Sequence, residues 1–196
     1  RRGLGALIID LRNNPGGLLE AAMAVGGAFF DPGELVAYTQ GRRDDSRVDF
    51  LADGRHRRRT YPLVVLVNGG TASAAEIVSG ALKDTRRAVI LGEKTFGKGS
   101  VQSIIETRTG EGVRLTTARY YTPSGVTIHE KGIEPHVLLE MTADDEARLR
   151  LQQSRADITE PKEFAEHFGF APVEDVQRRA AEEILRGVRE ARGGGR

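Results

Sequence analysis

The chain has 196 residues, of which 39% are hydrophobic and 29% charged, and its formal net charge is +1. A length of this order fits one domain with a real core, the composition excludes disorder and collagen-like structure, and the near-zero charge points to no charged partner. Cysteine is absent, which excludes disulfides, cysteine nucleophiles and thiolate metal sites while leaving the redox compartment open.

ALIIDL (6–11) is a continuous apolar run of strand length and is followed by RNNPGG, a turn with paired glycines. It predicts a buried parallel strand. LLEAAMAVGGAFF (18–30) carries apolar residues at helical spacing until DPG stops it, and ELVAYTQG (34–41) reads as another strand. The charged stretch 41–60 has no clear period and predicts an exposed hairpin or flap. Its run Arg57, Arg58, Arg59 lacks the interleaved aromatics of a nucleic-acid surface and reads as a solvated face.

YPLVVLVN (61–68) predicts a second buried strand, leading through GGTAS into a helix over ASAAEIVSGALKD. RAVILGEK (87–94) repeats the strand pattern, TFGKGS (95–100) is a glycine-rich loop, and VQSIIETRTGEGVRLTTARYYTPSG predicts a hairpin turning at GEG. Alternation of strand and helix implies an α/β fold with parallel connectivity and covering helices. After GIEPHVLLE (132–140) the chain turns to charged helical segments, with Thr142 and Asp145 set like a capping box; ARGGGR reads as a frayed end. No apolar run approaches the roughly 20 residues of a membrane span, and RRGLGALIID lacks the features of a signal peptide.

Three segments carry candidate chemistry. Ser73 follows a strand and opens a helix, where free N–H groups and the helix dipole favour a developing negative charge; the plainer alternative is a helix N-cap. A serine nucleophile needs a base. His56, His129, His136 and His167 lie in neither a glycine-framed loop nor at a strand end, which leaves a Ser-His-Asp triad with weak support. Lys98, between Gly97 and Gly99, is the better candidate. To shed its proton near neutral pH it needs apolar surroundings, for which Phe96 and Val101 are at hand, with Gln102 to orient the amine. Gly16 and Gly17 expose backbone amides that, with the N–H of Ala74, suit an oxyanion. A rival reading takes residues 92–98 as a phosphate-binding G-x-x-x-x-G-K, but Gly99 stands where Mg²⁺ binding wants Ser or Thr, and a strand follows instead of a helix.

DLRNNPGG, VNGGTASAAEI, GEKTFGKGSVQ and YYTPSG…GIEP occur in this order and together resemble the carboxyl-terminal processing peptidases, also called tail-specific proteases. The resemblance implies a ClpP/crotonase-like core of mostly parallel strands with covering helices, spanning residues 1–140, plus a charged helical tail over 141–196. It implies a serine endopeptidase with Ser73 as nucleophile and Lys98, 25 residues on, as general base, supported by Gln102; Lys94 is not the dyad lysine. The oxyanion hole maps to Ala74 and to Gly16 or Gly17, with Gly17 favoured. No metal or organic cofactor, no nucleic acid, protein or peptide substrates with accessible C-terminal tails, and an extracytoplasmic or periplasmic site are further implications. Substrates are expected to bind as an added strand.

Two departures from the family pattern stand out. Members usually carry a PDZ domain and an earlier part of the protease domain, so the chain reads as a C-terminal portion whose strand 6–11 lacks a neighbour. The resemblance therefore leaves room for a catalytically incomplete, protease-like binding module. GIxPD appears as GIEPH, with His136 replacing the acid.

Overall fold

A computed structural model describes residues 4–55, 58–155 and 157–193. His56 and Arg57 of the basic run, and the last residues of ARGGGR, lie outside the described residues. The elements in chain order are β1 (Leu7–Asp10), α1 (Leu19–Gly27), β2 (Leu35–Gly41), β3 (Val48–Leu51), β4 (Leu63–Val67), α2 (Ala74–Asp84), β5 (Val89–Gly92), β6 (Ser100–Glu106), β7 (Gly112–Tyr121), β8 (Val137–Leu138), α3 (Ala143–Ser154), α4 (Pro161–Phe168) and α5 (Val176–Gly193).

The α/β class holds, with strands divided between two four-stranded sheets. One is parallel, in the order β1-β4-β5-β8; the other is antiparallel, in the order β3-β2-β7-β6. The expectation of mostly parallel strands therefore applies to only half of them. The cause is connection length: β2–β3 and β6–β7 are joined by short turns, which can close only antiparallel pairs. β2 consequently leaves the parallel sheet and aligns with β7, where Tyr38 and Tyr121 stand opposite each other with rings stacked at 5.0 Å.

All five residues of β4 are buried. Leu63, Val65 and Val67 pack with Ile77, Val78, Ala81 and Leu82 of α2, while Val64 and Leu66 face Ala181 and Leu185 of α5. Alternate side chains thus enter two cores on opposite faces, which explains why the segment reads as an unbroken apolar run. α5 belongs to the charged tail, yet its apolar stripe closes one face of the parallel sheet. Among the described residues β1 pairs only with β4.

The tail is also tied to β1 by charge. Arg12, just beyond β1 and only 6% exposed in its side chain, donates to Asp10 on one side and to Asp175 at 2.7 Å on the other, while its Nη1 also reaches Gln177. Hydrogen bonds and attraction from the two carboxylates outweigh the burial penalty and push the guanidinium pKa up; the same contact holds Asp175 below the usual carboxylate range against its own desolvation. Thr142 caps α3 by accepting the Asp145 N–H at 3.1 Å. Its hydroxyl donates to the Asp145 carboxylate, so the box is only half formed. Among the described residues no helix is long and apolar enough to cross a membrane.

His136 keeps the GIEPH turn in register. Its N–H donates to Ile90 O at 2.8 Å and its Nδ1 accepts the Ile90 N–H at 3.0 Å, so the imidazole does an acceptor's work beside β5. Only the neutral ring can accept at Nδ1. Partial burial, with the charge of Lys83 as a second cause, lowers the His136 pKa below its ordinary value. A histidine with a depressed folded-state pKa contributes stability above the unfolded value, about 6.5, that is lost as pH falls toward the folded one. Wild type should therefore lose more melting temperature between about pH 7.5 and about pH 5.5 than His136→Asn, whose amide oxygen accepts without titrating. Equal losses in the two proteins would remove His136 from this role.

Candidate active site

Three loops meet beyond the carboxyl ends of β1, β4 and β5: residues 11–18, 68–73 and 93–99. Backbone bonds stitch them together. Ala72 N–H donates to Asn14 O at 2.9 Å, and Phe96 N–H donates to Thr71 O at 3.0 Å. The Thr71 hydroxyl donates to Leu11 O at 2.8 Å while accepting the Asn68 N–H.

Ser73 stands at the turn into α2 with φ 56° and ψ −119°. An ordinary N-cap has extended angles, so the backbone separates this residue from a simple cap. A non-glycine residue with positive φ is strained by about 1–3 kcal/mol, and a serine on such a strand-to-helix corner is the geometry of a nucleophile elbow. What holds it is Glu76. This side chain is 0% exposed. Its Oε2 accepts the N–H of Ser73 and the N–H of Lys98, each at 2.8 Å; its Oε1 accepts the Thr95 hydroxyl at 2.5 Å and the Gly97 N–H at 2.7 Å. The backbones of Ser73 and Lys98, distant in sequence, are thus bound to the same oxygen atom.

Beside this corner lies the NPGG turn. Gly16 is so close that a Cβ there would sit 2.8 Å from Ala72 O, Ala74 N and Ser73 Cβ, and its φ of +99° suits glycine alone. Its N–H is occupied by Asn14 Oδ1 at 2.9 Å. Among the described residues, by contrast, nothing accepts the N–H of Gly17 or of Ala74. Both residues line an apolar cavity of about 130 Å³ whose walls include Leu18, Ala21, Val25 and Val78.

The surroundings of Lys98 differ from expectation. The lysine is exposed, Phe96 is 69% exposed and forms no wall over it, and Gln102 is also exposed. No hydrogen bond joins the Lys98 side chain to Ser73 or Gln102. The flanking glycines serve packing instead: a Cβ on Gly99 would lie 2.4 Å from His129 N, so the loop presses its backbone onto the 128–132 turn and leaves the lysine side chain outward. Gln102 follows a β-bulge at Val101/Gln102 on β6, an edge strand, where nothing packs over it.

The phosphate-loop alternative loses its donors in the same arrangement. The amides of Gly97 and Lys98 point at the Glu76 carboxylate, and β6 follows the loop where a helix would be required. The described residues contain no group of three or more His, Cys, Asp or Glu placed to hold a metal ion.

Sequence reasoning does not single out Glu76. The signal is present, because Ser73-Ala74-Ala75-Glu76 has the S-x-x-E spacing of a capping box. Asn68 and its partners have no local signal.

The α/β core, with Ser73 at a strained strand-to-helix corner, has the class of fold found in solved processing proteases. Residues 1–139 match peptidase family S41, and the chain belongs to that family. It is 42% identical over 195 residues to a carboxy-terminal-processing protease of Bartonella bacilliformis, covering 94% of this chain and 45% of that protein. A carboxyl-terminal-processing protease of Synechocystis sp. is 41% identical, over 95% of this chain and 38% of its own length. The solved photosystem II D1 C-terminal processing protease superposes with a TM-score of 0.66 at 43% identity, over 71% of this chain and 36% of that one. The chain spans less than half the length of these relatives.

Because both Glu76 oxygens are filled by donors, either orientation of an amide in its place would turn an NH₂ toward two of them. Glu76→Gln should lower the free energy of unfolding by about 3 kcal/mol, as buried N–H groups lose their acceptor. Urea denaturation checks this, and an unchanged midpoint and slope would show that the carboxylate is not what joins the loops.

Proposed function

We propose that the chain is the catalytic portion of a carboxyl-terminal processing peptidase, a serine endopeptidase cutting protein substrates near their C-termini. The observation that carries this reading is the strained Ser73 corner with two unspent amides, Gly17 and Ala74, at its side. Ser73 Oγ attacks the scissile carbonyl while Lys98 Nζ takes its proton. The oxyanion rests on the N–H groups of Ala74 and Gly17, with Gly16 shaping the turn. The C–N bond then breaks as Lys98 returns the proton to the leaving amine, and water hydrolyses the acyl-enzyme by the same route. Gln102 orients the lysine.

The apolar cavity beside Gly17 and Ala74 takes one small or medium aliphatic side chain next to the scissile bond. β6 begins two residues after Lys98 and, among the described residues, has a free edge, to which an extended substrate adds as a strand. That strand covers Lys98 and supplies the desolvation a lysine base needs, which the free chain lacks. Residues 1–140 carry the chemistry in this reading and 141–196 support it. The relatives' naming as carboxy-terminal processing proteases supports tail-bearing protein partners and is compatible with the extracytoplasmic or periplasmic setting proposed from the resemblance.

The exposed Lys98 favours one rival, a protease-like binding module without turnover. A peptidyl fluorophosphonate probe, whose peptide arm supplies the covering strand, separates the two. Wild type should label at one site, Ser73→Ala should not label, and Lys98→Ala should label at least about 100-fold more slowly, the usual contribution of a general base. Labelling that persists in Ser73→Ala rejects the nucleophile, and equal rates for Lys98→Ala and wild type reject the base.

A further inference from the structure

The tail beyond the matched residues 1–139 reaches the serine loop through a carboxylate. Glu146, on α3, accepts a hydrogen bond at 2.8 Å from Asn68 Nδ2. Asn68 is 2% exposed and lies at the root of the loop that carries Ser73. Its Oδ1 accepts the N–H of Asn13 at 2.8 Å and of Gly70 at 3.1 Å, while its Nδ2 also donates to Asn13 Oδ1 at 3.2 Å. One carboxamide therefore clamps the loop of Gly17 to the loop of Ser73 and Ala74. There is no slack between them, since a Cβ on Gly70 would stand 2.8 Å from Asn13 Oδ1 and 2.9 Å from Asn13 Cα.

A carboxamide works as this clamp in only one orientation. Turned over, it would aim its NH₂ at two N–H donors and its oxygen at Glu146. The backbone N–H groups of Asn13 and Gly70 favour this sense at Oδ1; at Nδ2 the Asn13 side chain cannot enforce it, because its own amide can turn over too. A carboxylate can, because it only accepts. Met141 N–H donates to Glu93 at 3.1 Å and Thr142 caps α3, so the helix that presents Glu146 is anchored next to the third loop of the site.

We propose that Glu146 is a positioning residue that, by holding the orientation of Asn68, sets the distance from Ser73 and the Ala74 amide to the Gly17 amide in the facing loop. The proposal rests on the reading of those residues as an acyl-transfer site. It assigns the helical tail a part in catalysis with no contact to substrate.

The test is a charge-reversal cycle with two readouts: peptidyl fluorophosphonate labelling rate, and hydrogen exchange at the amides of Asn13 and Gly70. Asn68→Asp keeps the acceptor for both amides but sets a carboxylate against Glu146. It should slow labelling about tenfold or more, because small misplacements of reacting groups cost rate steeply. Adding Glu146→Gln restores a donor facing the introduced carboxylate and should bring labelling back to within about threefold of wild type, the signature of direct coupling. Glu146→Ala alone should speed exchange at both amides by about tenfold. A double variant no faster than Asn68→Asp, or exchange unchanged in Glu146→Ala, overturns the proposal. If wild type does not label at all, or labels without Ser73, the acyl-transfer reading falls, and the exchange measurement still decides whether Glu146 holds the clamp.

Discussion

The site depends on one buried anion. Placing a carboxylate in the interior is costly unless its oxygens are filled, and Glu76 fills them with three backbone amides and a hydroxyl from two separate segments. Its position in the first turn of α2 adds the favourable end of the helix dipole. The arrangement supports the strain at Ser73, because releasing the backbone there would forfeit a charge-assisted bond on a group that water cannot reach. It extends further through Thr95, whose hydroxyl donates to Glu76 and accepts the Ile133 N–H at 2.7 Å, carrying the constraint into the GIEP turn. Stretches that look independent in the sequence are therefore one hydrogen-bonded unit.

That unit organises backbone, not side chains. Ser73 and Lys98 are brought together through their amides, while the lysine side chain stays in solvent. If Lys98 is the base, as proposed, a fixed main chain with a free lysine is the state expected of a site whose last component is the substrate. The amides of Gly17 and Ala74, proposed for the oxyanion, are held in place with the cavity beside them in the free chain, so on that proposal the part that must act without reorganisation is built in. The desolvated environment is the part still to be added.

The elements with a single strong cause could be read from the sequence. LVVLV is an unbroken apolar run because neighbouring elements cover both its faces, whereas LIID, predicted as buried, is an edge strand that is only half-buried and ends in the exposed Asp10; the 100–121 hairpin shows its turn residues. Which sheet β2 joins could not be read, since strand propensity does not encode a pairing partner and the 41–60 flap hides a short turn. Lys98 misleads for a physical reason: a glycine-framed lysine is equally consistent with a side chain turned inward and with a backbone pressed onto a neighbour, and Gly99 against His129 is the second case. The Ser73–Glu76 spacing is visible, but only the angles of Ser73 separate a cap from a strained corner. Contacts such as Asn68 with Glu146 depend on tertiary placement and leave no local pattern.

The same reasoning bears on where the functional part of the chain ends. β4 is buried on both faces, and one of those faces is closed by Ala181 and Leu185 of α5. A parallel strand with one face stripped would present Val64 and Leu66 to water, and parallel sheets are rarely stable with an open face. The Arg12 guanidinium adds a polar lock, because its charge is buried between Asp10 and Asp175 and would be left with one partner fewer if α5 moved away. Arg12 lies just ahead of the NPGG turn, so loosening α5 loosens the base of the loop that carries Gly16 and Gly17. In the proposed reading a boundary near residue 140 separates chemistry from support. It does not separate two folding units, since the sheet that holds Ser73 in place is completed by a helix from the far end of the chain.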